Sequence, residues 1–137
     1  MFSNILVATD GSSNSLRAAE NALEIAKRFK AKITLVYVVY VPRLYQGDIS
    51  SELMESFVED GQKILKDTSQ VFSRANYPFT TKLIRGKKPA VAICSLAKKY
   101  DLLMIGTRGL HKKQERSLGS VSSCVIHCAP CPVLLVK

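Results

Sequence analysis

Leu102-Leu103-Met104-Ile105, followed by Gly106-Thr107-Arg108-Gly109, is the stretch that decides the fold. Four apolar residues in succession, with no polar alternation, read as a strand covered on both faces, the condition of a central strand in a parallel sheet. Gly106 stops the run. A polar loop then leads to Gly119-Ser120-Val121, at the head of a short helix that places Val121, Cys124, Val125 and Cys128 on one apolar side. The chain opens on the same kind of unit. Ile5-Leu6-Val7-Ala8 gives way to Thr9-Asp10-Gly11-Ser12, which sets a carboxylate at the mouth of a strand. It also closes on one, Val133-Leu134-Leu135-Val136, after Cys131-Pro132.

Between these strands the periodicity is helical. Ser12, Ser13 and Asn14 offer N-caps to a helix whose stripe runs through Leu16, Ala19, Leu23 and Ala26, widened by Ala22, Ile25 and Phe29. Ile33 to Val39 is a β-branched strand closed by Pro42, with a loop through Gly47. From about Ser51 a long helix carries Leu53, Met54, Phe57, Val58, Ile64, Leu65 and Phe72 on one side and breaks near Asn76-Tyr77-Pro78. Phe79 to Ile84 alternates, as an edge strand does. Pro89 suits the first turn of a helix with Ile93, Leu96, Ala97 and Tyr100 inward. The order β-α-β-α-β-α-β-loop-α-β predicts a single α/β domain over 1–137, a parallel sheet with helices on both faces. In such sheets ligands gather beyond the carboxyl ends of strands.

Composition bounds the function. A chain of 137 residues, 47% apolar, can build a full core. No apolar run reaches membrane length, and Met1 to Val7 lacks a basic n-region, which argues against a secretory signal. Cys94, Cys124, Cys128 and Cys131 are too few and too clustered for a disulfide framework, so a reducing, cytoplasmic setting is expected. Residues 1–76 hold nine Lys/Arg and nine Asp/Glu, whereas 77–137 hold eleven Lys/Arg against Asp101 and Glu115. That asymmetry points to an anionic partner, or simply to a basic, soluble surface.

Glycines let a loop bring its N–H groups close to a phosphate, and a helix starting at Ser120 aims its unpaired N–H groups at the same anion. Such a terminus contributes about 0.3–2 kcal/mol. Arg108, Lys112, Lys113 and Arg116 add attraction. Gly106-x2-Gly109-x9-Gly119-Ser120 resembles the ATP-binding motif of universal stress proteins, Gly-x2-Gly-x9-Gly-Ser/Thr. Ile5 to Ser12, Asp101 to Gly106, Gly119 to Val121 and Cys131 to Val136 look like that family's opening strand, motif strand, closing helix and last strand.

The resemblance implies a doubly wound, three-layer sandwich of the adenine nucleotide alpha hydrolase-like type, its five strands in order 3-2-1-4-5. ATP, or AMP or ADP, would lie over the switch between strands one and four, with Mg²⁺ carried on phosphate oxygens. Asp10 would hold the ribose hydroxyls with Ala8 and Thr9 nearby, unless it is only a turn residue. The Val38 backbone would meet adenine. Ile105, Gly106, Arg108, Gly109, Gly119, Ser120 and Val121 would surround the phosphates, Ser120 donating its hydroxyl. Gly86-Lys87-Lys88-Pro89-Ala90 has one residue more than the Gly-x-Pro-Ala usual at that corner. In this order Val133–Val136 is an apolar edge strand, which predicts a homodimer through it.

Other signals fall away. There is no Gly-x-Gly-x-x-Gly after the first strand and no P-loop, and the third strand ends Leu83-Ile84-Arg85-Gly86, without the acid a receiver domain needs. Cys124, His127, Cys128 and Cys131 crowd into eight residues, which favours core packing over a metal site. Cys128-Ala129-Pro130-Cys131 follows a helix, where a redox pair would open one. His111 reads as a solvated loop residue. A nucleotide-responsive regulatory module is the leading reading. A slow ATPase is second, lacking an evident general base. A partner-binding module independent of nucleotide is third, and nucleic acid is disfavoured because no aromatics interleave with the basic residues.

Overall fold

The computed structural model describes residues 1–39, 41, 50–108 and 118–137, so Pro42, Gly47, Gly109, His111, Lys112, Lys113 and Arg116 lie outside the described residues. The elements run β1 (Asn4–Ala8), α1 (Ser13–Phe29), β2 (Lys32–Val38), α2 (Ser51–Arg74), β3 (Thr80–Ile84), α3 (Pro89–Ala97), β4 (Leu102–Gly106), α4 (Ser120–Cys128) and β5 (Val133–Val136). All strand pairs are parallel, in the order β3-β2-β1-β4-β5. This is the expected five-stranded order. β1 pairs with β2 from Asn4↔Lys32 to Ala8↔Val36 and with β4 from Ile5↔Leu102 to Val7↔Met104.

The strand period of two builds the three layers. Ile5 and Val7, Ile33, Leu35 and Tyr37, and Leu102 and Met104 face one core shared with α1 and α2. Leu6 and Ala8, Val36 and Val38, and Leu103 and Ile105 face the other, shared with α3 and α4. Ile5, Leu6, Val7, Leu35 and Leu103 are fully buried, each stabilising by about 1.5–3 kcal/mol. A strand covered on both faces favours apolar residues throughout, hence the unbroken runs of β1 and β4; in β2 the buried Thr34 hydroxyl pairs with Thr80 at 3.2 Å.

Three helix faces differ from the periodicity. In α1 the buried positions are Asn14, Ser15, Ala18, Ala19, Ala22, Leu23 and Ala26. This face leaves Leu16 and Phe29 at its rim, 40% and 46% exposed, with Phe29 meeting Phe2 edge-on at 5.5 Å. In α4 the buried positions are Ser122 and Val125, while Cys124 and Cys128 are exposed. Ser122 can be buried because its hydroxyl donates to the Gly106 carbonyl at 2.7 Å. In α2, Leu65 and Phe72 are buried as expected, but so are Gly61, Thr68 and Ser69. A Cβ on Gly61 would lie 2.5 Å from the Tyr37 ring, so glycine is what lets α2 approach β2 this closely.

Local chemistry fixes the helix ends. Ser12 is the N-cap of α1, its hydroxyl accepting from the Ser15 N–H at 3.2 Å. Lys30 closes that helix in the left-handed region at φ 57°. Pro89 opens α3 as expected. Before it, Gly86 sits at φ 83°, and a Cβ there would meet nothing within 4 Å. Finally, Cys94 and Cys128 are disulfide-bonded, against the expectation of reduced core cysteines; Cys124 and Cys131 are free. Spacing along one helix could not show that α3 brings Cys94 beside α4.

Candidate functional site

β1 and β4 are neighbours in the sheet whose following helices leave to opposite faces, α1 to the side it shares with α2 and α4 to the side it shares with α3. Beyond the carboxyl ends of β1 and β4 this reversal opens a cavity of about 520 Å³, within the roughly 300–1,000 Å³ of small-molecule sites. Ala8, Thr9, Asp10, Val38, Ile105, Gly106, Arg108, Gly119, Ser120 and Val121 all line it. Gly109 is the one candidate outside the described residues. A more open hollow of about 580 Å³ lies at the opposite end, around Lys30, Lys32, Tyr77 and Phe79. It is slightly larger but has neither strand-end glycines nor a helix N-terminus, so the smaller cavity is where the chemistry converges.

The cavity has two characters. Val36, Val38, Phe57, Ile64, Ile93 and Ile105 supply apolar walls. Asp10, Asp60, Arg108, Ser120 and the Gly106 and Gly119 backbones supply the polar part. Asp10 lines the cavity and also shapes its own turn, Oδ1 accepting from the Ser12 N–H at 2.9 Å. The turn role and the lining role are compatible.

Thr9 works differently. It is 6% exposed. Its Oγ1 contacts Ser15 Oγ at 3.1 Å and Thr68 Oγ1 at 2.9 Å, and accepts from the Gly11 N–H at 3.2 Å. One donor and two acceptor sites are thereby filled. The hydroxyl ties β1, α1 and α2 together beneath the cavity and positions Asp10.

The end of β4 is held from four sides. The Thr107 N–H donates to Val136 O at 2.8 Å, and the Gly119 N–H donates to Thr107 O at 2.6 Å. Ser122 Oγ reaches Gly106 O, and Asn14 Nδ2 donates to Thr107 Oγ1 at 3.3 Å. Gly106 itself abuts α1, where a Cβ would lie 2.8 Å from Asn14 Cβ and 3.0 Å from its backbone carbon. Only glycine fits. The segments 106–108 and 119–122, apart in sequence, are therefore one rigid rim. Gly119 caps α4 without a side-chain hydrogen bond, and the N–H groups of Ser120, Val121 and Ser122 have no partner four residues back within the helix.

Ser15, Tyr37, Phe57, Asp60, Ile64, Pro89, Ile93 and Ser122 also line the cavity, unforeseen as site residues. Phe57 and Ile64 were legible only as helix stripe. Asp60 resembles any solvent-facing acid, although Gly61 in mid-helix marks the close approach that brings it there. Away from this cavity, Asp101 Oδ2 and Oδ1 accept from the Ser3 and Asn4 N–H groups at 2.8 and 3.0 Å, anchoring the start of β1. Burial, and then the Asp101 charge, raise the Cys131 thiol above its ordinary pKa.

Comparisons place this architecture among known proteins. The model of the universal stress protein family matches residues 1–137. Universal stress protein MJ0531 of Methanocaldococcus jannaschii is 37% identical, covering 100% of this chain and 83% of its own. The structure of universal stress protein UspA from Lactobacillus plantarum superposes with a TM-score of 0.82 at 28% identity, covering 99% of this chain and 98% of its own. A universal stress protein solved in complex with cAMP gives a TM-score of 0.76 at 26% identity, covering 99% and 97%. The sheet order is that of the α/β nucleotide alpha-hydrolase-like fold of these neighbours. With the family model spanning every residue, the chain belongs to the universal stress protein family.

Proposed function

We propose that the cavity beyond β1 and β4 binds an adenine nucleotide, ATP in the leading reading with AMP or ADP as alternatives, and that the chain, one domain over 1–137, is a nucleotide-responsive regulatory module acting in the cytoplasm. One observation carries the reading: every described candidate residue lines a single cavity. The neighbour solved with cAMP supports the class of ligand.

The residues fit the group. The apolar walls at Val36, Val38 and Ile105 suit a base, whose edge the Val38 backbone meets. Asp10 accepts from the ribose hydroxyls. The first-turn N–H groups of α4, the Ser120 hydroxyl and Arg108 receive phosphate oxygens, joined by Gly109. Mg²⁺ travels on those oxygens. Asp10 is committed to ribose, so hydrolysis is not assigned. Titration calorimetry with ATP checks the proposal: binding is expected at or below millimolar ATP and falls at least tenfold in Asp10→Ala with the fold intact by circular dichroism. No heat at millimolar ATP would overturn it.

Association through β5 belongs to the same proposal. Among the described residues β5 pairs only with β4, and Leu134 is 37% exposed, so a second copy can extend the sheet at that edge.

A further inference from the structure

Cys94 lies buried on α3 and Cys128 ends α4 at the surface. Their Cα atoms are 5.9 Å apart and their sulfurs are bonded, a separation inside the roughly 4.4–6.8 Å that a disulfide spans without backbone movement. The bond closes 34 residues of chain, a loop that contains β4 and both rim segments of the cavity. Pro89 and Ile93 of α3, and Ser120 to Ser122 of α4, line that cavity. The bond therefore joins the two helices of one cavity wall, which also share the apolar cluster that contains Ala92, Ala97 and Val125.

We infer that Cys94 and Cys128 form a reversible thiol–disulfide pair, oxidised by a low-molecular-weight disulfide and reduced by the matching thiol, and that oxidation locks α3 to α4 along the cavity wall. The accessibilities set the order of events. Exposed Cys128 attacks the small disulfide as thiolate, forming a mixed disulfide and releasing one small thiol. Cys94, sheltered from external reagents, then displaces the second small thiol and closes the Cys94–Cys128 bond. Two electrons and two protons pass from the cysteines to the small disulfide, which leaves as two thiols. Cys131, three residues beyond Cys128, is a poor competitor: it packs against the same apolar cluster, and burial, then the Asp101 charge, raise its thiol pKa. In the cytoplasmic setting proposed above, on which this step rests, disulfides are typically of this transient, sensing kind. The pair stands whatever the cavity holds.

The test equilibrates the whole protein in glutathione buffers from fully reduced to fully oxidised, then alkylates it and maps peptides by mass spectrometry. The expected result is four alkylated cysteines at the reduced end and a single Cys94–Cys128 link, with Cys124 and Cys131 alkylated, at the oxidised end. Reduction lowers the unfolding temperature by about 10 °C, from the loop entropy released, and speeds hydrogen exchange in 89–97 and 120–128. Cys131→Ser keeps this redox dependence; Cys128→Ser loses it. Cys94 and Cys128 both alkylated at every ratio, a Cys128–Cys131 link, a bond that millimolar glutathione does not open, or identical unfolding and exchange in both states would overturn the inference.

Discussion

Thr9 and Asp10 are adjacent, yet the structure divides their work. The Thr9 hydroxyl is spent on Ser15, Thr68 and Gly11, so Thr9→Val leaves two buried hydroxyls short of a partner. It should lower unfolding free energy by about 1–3 kcal/mol, measured by urea denaturation. Under the proposed nucleotide reading, Asp10→Ala acts on the ligand as well as on its own turn: losing a charge-assisted hydrogen bond of about 1.5–3 kcal/mol should weaken ATP binding by roughly 10- to 100-fold. Gly106→Ala forces a Cβ to 2.8 Å from Asn14 Cβ, and overpacking of this kind costs about 1–3 kcal/mol. Its urea midpoint should fall even without ligand. An unchanged midpoint would mean α1 yields freely. Residue type and spacing marked Asp10 and Gly106 as candidates, whereas the valence of the Thr9 hydroxyl exists only once three elements meet.

Elements were legible where burial is complete and blurred where it is partial. β4 matches its apolar run because both-face burial permits nothing else, whereas β5 keeps an apolar run although, as an edge strand, it leaves Leu134 exposed. The apolar stripe of α1 is wider than the face it buries, because Leu16 and Phe29 are apolar residues at a rim. In α4 the polar Ser122 took the buried position through its bond to Gly106 O, and pattern reading gave that place to Cys124. Asp60 and Phe57 entered the cavity through the close packing of α2 on Tyr37, a contact that only Gly61 hints at. At this scale the cap is the simplest check. Ser12→Ala removes the oxygen that accepts from Ser15 N–H and should cost about 1 kcal/mol, read as a lower thermal midpoint.

For the whole molecule, the family and the sheet order follow from alternation and motif together, and the cavity is their geometric consequence at the β1–β4 switch. The edge at β5 is what the same order leaves open. Leu134→Arg puts a charge on that edge and should convert a dimer to a monomer in light scattering at micromolar concentration; a wild-type monomer would remove the proposed association. The proposed function turns on where the nucleotide sits, and backbone amide spectra of the labelled protein, titrated with ATP, locate it. Shifts are expected to concentrate at Asp10, Val38, Gly106, Gly119, Ser120 and Val121. Shifts gathered instead around Lys30, Lys32 and Tyr77, or none at millimolar ATP, would contradict that placement.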